Sequence, residues 1–152
     1  MKPKFVDYYM KIAEVTSGLS YAKRLQVGAV IVKDNQILAT GYNGMPSGWE
    51  NVCETESVEL YSGFEGAIHR TVLKTKPEVL HAETNAIAKV SQSTESSKDS
   101  TLFCTHAPCM ECAKLIYQSG ITTVYYKNNY RDESGLSFLR LSGVNVHQHN
   151  ID

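Results

Sequence analysis

Two short stretches carry residues able to do chemistry together: His81-Ala82-Glu83 and Pro108-Cys109-Met110-Glu111-Cys112. One imidazole and two thiolates form a borderline-soft ligand set that suits zinc. Three protein ligands rather than four leave one coordination position for water, as a catalytic zinc requires. Glu83, two residues past the histidine, is then a candidate proton carrier rather than a ligand. The bland alternative is a buried histidine beside an unrelated cysteine pair. Ligand types, spacing and local helix signals all speak against it.

The flanking residues position these groups. Thr84 to Val90 reads as a helix with Ala86, Ile87 and Val90 as its apolar stripe. Leu102 to Thr105 reads as a short strand. Pro108 is expected to open a second helix, where its missing N–H costs nothing, running to about Ser119 and stopping at Gly120. His81 and Cys109 then stand at helix N-termini, where the dipole favours thiolate and hydroxide.

The remaining elements follow from periodicity and turn signals. Phe5, Tyr8, Tyr9, Ile12 and Val15 recur at helical steps, and Gly18 ends that helix. Gln26 to Lys33 reads as a buried strand, Asp34-Asn35 as a tight turn, and Gln36 to Gly41 as the antiparallel return. Positions 49–78 show no clean period and read as a long insertion without structure of its own. Ser91 to Ser100 is a surface loop. Thr122 to Tyr126 is a strand parallel to Leu102–Thr105, through a right-handed crossover. Asp132 caps a last helix over Glu133 to Leu141, and Val144 to Val146 is a final strand. His147 and His149 fall in a polar tail that reads as frayed and non-ligating. The order of elements predicts one α/β layered domain with a mixed sheet over positions 1–152.

Composition narrows the functional classes. A chain of 152 residues can bury a sizeable core, and its formal net charge of −1 offers no basic surplus for non-specific nucleic-acid binding. No apolar run approaches membrane-spanning length. Charge in Met1 to Lys4 is followed by no apolar stretch, unlike a signal peptide. With Cys109 and Cys112 assigned to a metal, Cys53 and Cys104 do not make a disulfide framework, and a reducing cytoplasm fits. Lys23 and Arg24 read either as a solvated loop or as a phosphate clamp. The loop Gly41-Tyr42-Asn43-Gly44-Met45-Pro46-Ser47-Gly48 allows close ligand approach, and Asn43 can both donate to and accept from a sugar hydroxyl. Cys53 and His69 are two candidate ligands for a second, structural zinc.

The H-x-E…P-C-x-x-C pattern is the signature of zinc deaminases. Together with Val27-Gly28-Ala29-Val30-Ile31-Val32, Thr40-Gly41-Tyr42-Asn43-Gly44-Met45-Pro46 and His81-Ala82-Glu83-Thr84-Asn85-Ala86-Ile87, it resembles the deoxycytidylate (dCMP) branch of the cytidine and deoxycytidylate deaminase superfamily. The resemblance implies a three-layer α/β/α cytidine-deaminase-like fold with a mixed five-stranded sheet. It implies hydrolysis of dCMP to dUMP and ammonia, supplying dUMP for dTMP synthesis. It also implies a homohexamer, raised in activity by dCTP and lowered by dTTP, with Mg2+ accompanying the nucleotide effector. By motif match, His81, Cys109 and Cys112 would hold zinc, Glu83 would shuttle protons, and Asn43 would bind deoxyribose. Arg24 and Tyr130 would lie near the phosphate, Ala82, Thr105 and Pro108 would be further substrate-binding positions, and backbone groups around Thr105 to Ala107 could meet the pyrimidine edge. Gly44 and Asn85 would belong to an effector pocket. Many microbial members carry a cysteine two positions before the arginine as part of a second zinc site; here Ala22 stands there. His106 is left open between substrate and interface. Competing readings are a superfamily deaminase acting on another nucleoside, nucleotide or tRNA, and a non-catalytic zinc-stabilised nucleotide-binding module.

Overall fold

A computed structural model describes residues 1–63 and 66–150; positions 64 and 65 of the 49–78 insertion, and 151–152, lie outside the description. The elements in chain order are α1 (Pro3–Ser17), β1 (Gly28–Lys33), β2 (Gln36–Tyr42), β3 (Glu54–Gly63), β4 (Gly66–Thr75), α2 (Ala82–Ser91), β5 (Thr101–His106), α3 (Met110–Gln118), β6 (Thr123–Asn128), α4 (Ser134–Leu141) and β7 (Asn145–Gln148). Five strands form a sheet in the order β2-β1-β5-β6-β7. β1 pairs antiparallel with both β2 and β5, while β5–β6 and β6–β7 are parallel. The mixed five-stranded sheet is as expected. The β1–β2 turn places Asp34 and Asn35 at φ 52° and 59°, the left-handed pair that a two-residue hairpin requires.

Period-two alternation divides the core between the two faces of this sheet. Val30, Val32 and Phe103 point to one face and meet Val6, Tyr9, Met10 and Ala13 of α1. Ala29, Ile31, Leu102 and Cys104 point to the other and meet α2, α3 and α4. Helices therefore cover both faces, giving three layers. α1 begins two residues before the first apolar position, with Pro3 in its first turn, where a proline is tolerated.

Three expectations need correction. The 49–78 insertion is not structureless: β3 and β4 form an antiparallel two-stranded arm, in register from Glu54↔Thr75 to Gly63↔Gly66. Val58, Leu60, Tyr61 and Ile68 on it are exposed, so no buried face imposes the alternation that reveals a strand. Pro108 does not open α3. The helix begins at Met110 with Cys109, in extended conformation, as its N-cap, and Pro108 precedes both. The tail is not frayed either. β7 pairs with β6, the His149 backbone N–H donates to Tyr126 O at 2.7 Å, and its ring Nε2 meets Asp7 Oδ1 at 2.7 Å. His147 stacks on Tyr125 at 5.0 Å.

Candidate active site

His81 is the N-cap of α2 and Cys109 the N-cap of α3, both in extended backbone conformation. Each follows a strand-like segment. Leu80 is bridged to Gly44 by two backbone hydrogen bonds of 2.8 and 3.1 Å, and Cys109 lies three residues beyond the end of β5. β5 is where the sheet changes from antiparallel to parallel pairing, and Cys109 follows its carboxyl end. Two glycines permit the close approach of helices here. A Cβ on Gly41 would sit 2.2 Å from the Ala82 carbonyl oxygen, and one on Gly135 would sit 2.1 Å from that of Pro108.

His81 Nδ1 lies 3.2 Å from Cys112 Sγ and 3.6 Å from Cys109 Sγ, and the three ligand atoms fall within 4.8 Å of one another. A tetrahedral zinc with ordinary Zn–N and Zn–S bonds separates a nitrogen and a sulfur ligand by about 3.5 Å. The donors therefore already have the spacing of zinc ligands, and their chemistry fits that metal. Among the described residues this is the one His/Cys/Asp/Glu group so arranged.

The local electrostatics suit a dication. Cys109 is brought down to about 4, first by the hydrogen bond it shares with Cys112 and then by His81, with the Cys112 backbone N–H adding to the effect. Cys112 is pushed up because it donates to Cys109, and burial reinforces this. The two sulfurs thus hold one proton between them. The hydrogen bond to Cys109 also raises His81, against the opposing effect of burial. Zinc binding must displace the Cys112 proton and, at lower pH, that of His81. Affinity should therefore climb with pH, and more steeply at the acid end, where His81 is also protonated. Competition with a chromogenic chelator across a pH series measures the slope, and a flat line would refute the shared-proton picture.

Glu83 sits in the first turn of α2, only 4% exposed, with Oε2 3.7 Å from Cys112 Sγ. Burial pushes its carboxyl up, while its own backbone N–H and His81 pull the other way. A carboxylate at a helix start is ordinary helix electrostatics. A nearly buried one of raised basicity beside a cluster of metal-ligating side chains has the properties a proton carrier needs.

Glu83, His81, Cys109 and Ala82 line a cleft of about 370 Å³ together with Arg24, Asn43 and Tyr130. That volume suits a small ligand. Other expected positions lie elsewhere. Thr105 is buried, its Oγ1 accepting from Gly28 N at 3.1 Å and its carbonyl accepting from Asn128 Nδ2 at 2.9 Å. Pro108 is fully buried. Asn85 donates to Tyr42 O at 2.8 Å, tying α2 to β2, and Gly44 takes part in the Leu80 bridge. Asn43 reaches the cleft, but its side chain is already engaged: Oδ1 accepts from Val27 N and Nδ2 donates to Leu25 O, both at 2.8 Å.

The structure does not bring Cys53 and His69 together. Cys53 precedes β3 and its carbonyl takes the Lys76 N–H, whereas His69 pairs with Leu60, well out along the arm. At the usual rise per strand residue that separation is about 20 Å, too far for one metal ion. The cleft is also lined by Arg131, Glu54 and Thr75, polar residues to which the sequence alone assigns no role, and by His106, which it leaves open. Arg131 adjoins Tyr130, and such an aromatic–cation pair in a short loop is the one signal that was available. Burial lowers His106 toward the neutral imidazole, and its Nδ1 lies 2.9 Å from Thr105 Oγ1.

Gly135→Ala tests how tightly α4 holds the Cys109 turn. An alanine in a helix ordinarily gains up to about 1 kcal/mol over glycine. Here its Cβ would meet backbone at 2.1 Å, so the turn must shift, at a cost of about 1–3 kcal/mol. A lowered melting temperature with weakened zinc retention is the expected result, read by thermal melts and chelator competition. An unchanged melt would show that the contact carries no constraint.

Residues 3–128 match the family described as the cytidine and deoxycytidylate deaminase zinc-binding region. The dCMP deaminase of cyanophage S-TIM5, solved in complex with dCMP and dUMP, is 45% identical with a TM-score of 0.85, over 98% of this chain and 99% of that one. The deoxycytidylate deaminase of Saccharomyces cerevisiae is 32% identical over 97% of this chain, which spans only 46% of that relative's length. The human deoxycytidylate deaminase is 36% identical over 89% of this chain and 71% of its own length.

Proposed function

The chain belongs to the cytidine and deoxycytidylate deaminase family, and from that premise we propose that it hydrolyses dCMP to dUMP and ammonia. The observation that carries this reading is the content of one cleft, which holds the His81 and Cys109 metal ligands, the Glu83 carboxylate and two guanidiniums, Arg24 and Arg131. The first three fit hydrolytic deamination, and the guanidiniums fit a phosphorylated substrate.

His81, Cys109 and Cys112 would hold zinc, which would supply the Lewis acidity that makes water acidic enough to react near neutral pH. The chain's own residues do the rest. Glu83 takes the proton of the attacking water as its oxygen adds to carbon 4 of the cytosine ring. Glu83 then passes that proton to ring nitrogen 3 and carries the remaining hydroxyl proton to the departing amine, which leaves as ammonia. One water is consumed and the carbonyl of uracil is formed. His106 and Ala107 line the same cleft and would border the ring. Arg24, Tyr130 and Arg131 hold the phosphate side.

The same proposal includes activation by dCTP, inhibition by dTTP, nucleotide-bound Mg2+, a homohexamer, a role in supplying dUMP for dTMP synthesis, and action in the cytoplasm, or a host's cytoplasm if the source is viral. These rest on family resemblance. No helix among the described residues is long and apolar enough to cross a membrane. Ammonia release from dCMP by the zinc-loaded protein, with and without each Mg2+-nucleotide, is the test. Turnover of cytidine or dCTP in preference to dCMP would overturn the substrate assignment.

A further inference from the structure

The β3–β4 arm meets the rest of the domain at its root, through Glu54 and Thr75, which face each other as register partners. Both line the cleft. Glu54 is only 6% exposed, yet among the described residues no side-chain cation pairs with it. A buried carboxylate without partners is costly. Its compensation comes from the preceding loop: Oε1 accepts from Lys23 N at 2.8 Å and from Arg24 N at 3.1 Å. Thr75 Oγ1 accepts from Arg24 Nη1 at 3.1 Å. One end of the arm thus grips Arg24 twice, at its backbone and at its guanidinium.

The loop has a second anchor, independent of the first. Asn43 holds Leu25 and Val27, Ser20 Oγ donates to Asn43 O at 2.7 Å, and Gln26 Nε2 donates to Ser20 O at 2.7 Å. Lys23 and Arg24 lie between these contacts and depend on the arm root. Arginine has five N–H donors, and Thr75 uses one of them. The guanidinium is thereby aimed, with the other donors left for an anion. An exposed arginine that must be ordered on binding spends affinity on its own immobilisation, and one already aimed does not.

We propose that Glu54 and Thr75 are positioning residues that pre-set Arg24 for the substrate phosphate, making the root of the arm a determinant of nucleotide over nucleoside binding. This rests on the reading of the cleft as a dCMP site. It assigns the arm a function in the active site of its own chain.

The test compares dissociation constants for dUMP and deoxyuridine, which differ only in the phosphate, measured by calorimetry on the zinc-loaded full chain. Thr75→Val is the decisive variant, since the position is exposed and the replacement isosteric. It should weaken dUMP by about tenfold, leave deoxyuridine unchanged, and be rescued by Thr75→Ser. Glu54→Ala should act in the same direction, and Arg24→Ala should remove the discrimination more fully. If Thr75→Val leaves the dUMP-to-deoxyuridine ratio unchanged while Arg24→Ala lowers it, the positioning role is wrong and the cleft assignment stands. If Arg24→Ala also leaves the ratio unchanged, the inference falls together with the Arg24 clamp. A wild-type protein that binds dUMP but releases no ammonia from dCMP would overturn the enzyme assignment, while the binding ratios would still decide the positioning role.

Discussion

Glu83→Gln is expected to keep its zinc and its fold while ammonia release from dCMP falls by about 10²–10⁴-fold, the usual contribution of one general acid–base group. The substitution is nearly isosteric and retains a carbonyl oxygen, but it cannot accept and return a proton. Glu83 is not among the three grouped ligand atoms, so zinc content should be unchanged. Stability gives a second, opposite signal. The carboxyl is 4% exposed, and burial already disfavours its ionised form. A neutral amide there should leave the melting temperature unchanged or raise it. Catalysis down with stability unimpaired is the mark of a group kept for chemistry. A carboxylate present only to complement the helix dipole would show the reverse: activity retained and a small loss of stability. Metal analysis, a thermal melt and single-turnover kinetics on one preparation separate the two, and activity within tenfold of wild type would remove the proton-shuttle role.

Which parts of this site could be read from the sequence follows from how local their causes are. His81 and Glu83, and Cys109 and Cys112, lie within single turns of two helices, so spacing alone fixes which side chains cluster. The strands β1 and β5 announce themselves because burial on both faces demands continuous apolar and β-branched residues. The β3–β4 arm escapes the same reasoning. With neither face in the core, Glu56, Glu59, His69 and Arg70 interrupt its apolar residues, and no period emerges. Its strands are held by cross-strand pairing, which a linear pattern does not record.

Several polar residues expected at a ligand also carry tertiary hydrogen bonds of the fold. Asn43, whose chemistry suits a sugar hydroxyl, lines the cleft, and the same donor and acceptor make it the clamp that closes the 20–27 loop onto β2. Thr105 and Asn85 likewise spend their polar groups on tertiary hydrogen bonds. A polar residue in a family motif can serve the shape of a site without touching the ligand. Glu54 is the converse case, an unremarked acid whose partners lie about 30 residues away in sequence. No local signal marks such a contact, because loop closure alone brings its ends together.

Cys112→Ala should abolish zinc retention and activity together, and its diagnostic is the response to chelator. Cys112 is 1% exposed and sits in the first turn of α3, where alanine is a good helix former, so the apo-protein should fold. Two consequences for the metal compound each other. One of three ligands is gone, and Cys109 loses the hydrogen bond that does most to hold it as thiolate near 4. Structural zinc sites bind with roughly 10–16 kcal/mol, so losing one thiolate and raising the other costs several kcal/mol, about 10³-fold or more in affinity. Because zinc binds the folded state, wild-type protein should melt at a lower temperature when chelator is added. Cys112→Ala should already melt near that lower value and should not respond to chelator. Cys104→Ala is the control for simple loss of a buried sulfur, since Cys104 is fully buried in the same core and contacts Tyr125 O at 3.6 Å rather than the ligand cluster. It should lose some stability yet bind zinc fully and keep its chelator-dependent melt. If Cys112→Ala instead held stoichiometric zinc and still responded to chelator, the ligand set would have to be reassigned, and with it the open coordination position on which the hydrolytic reading depends.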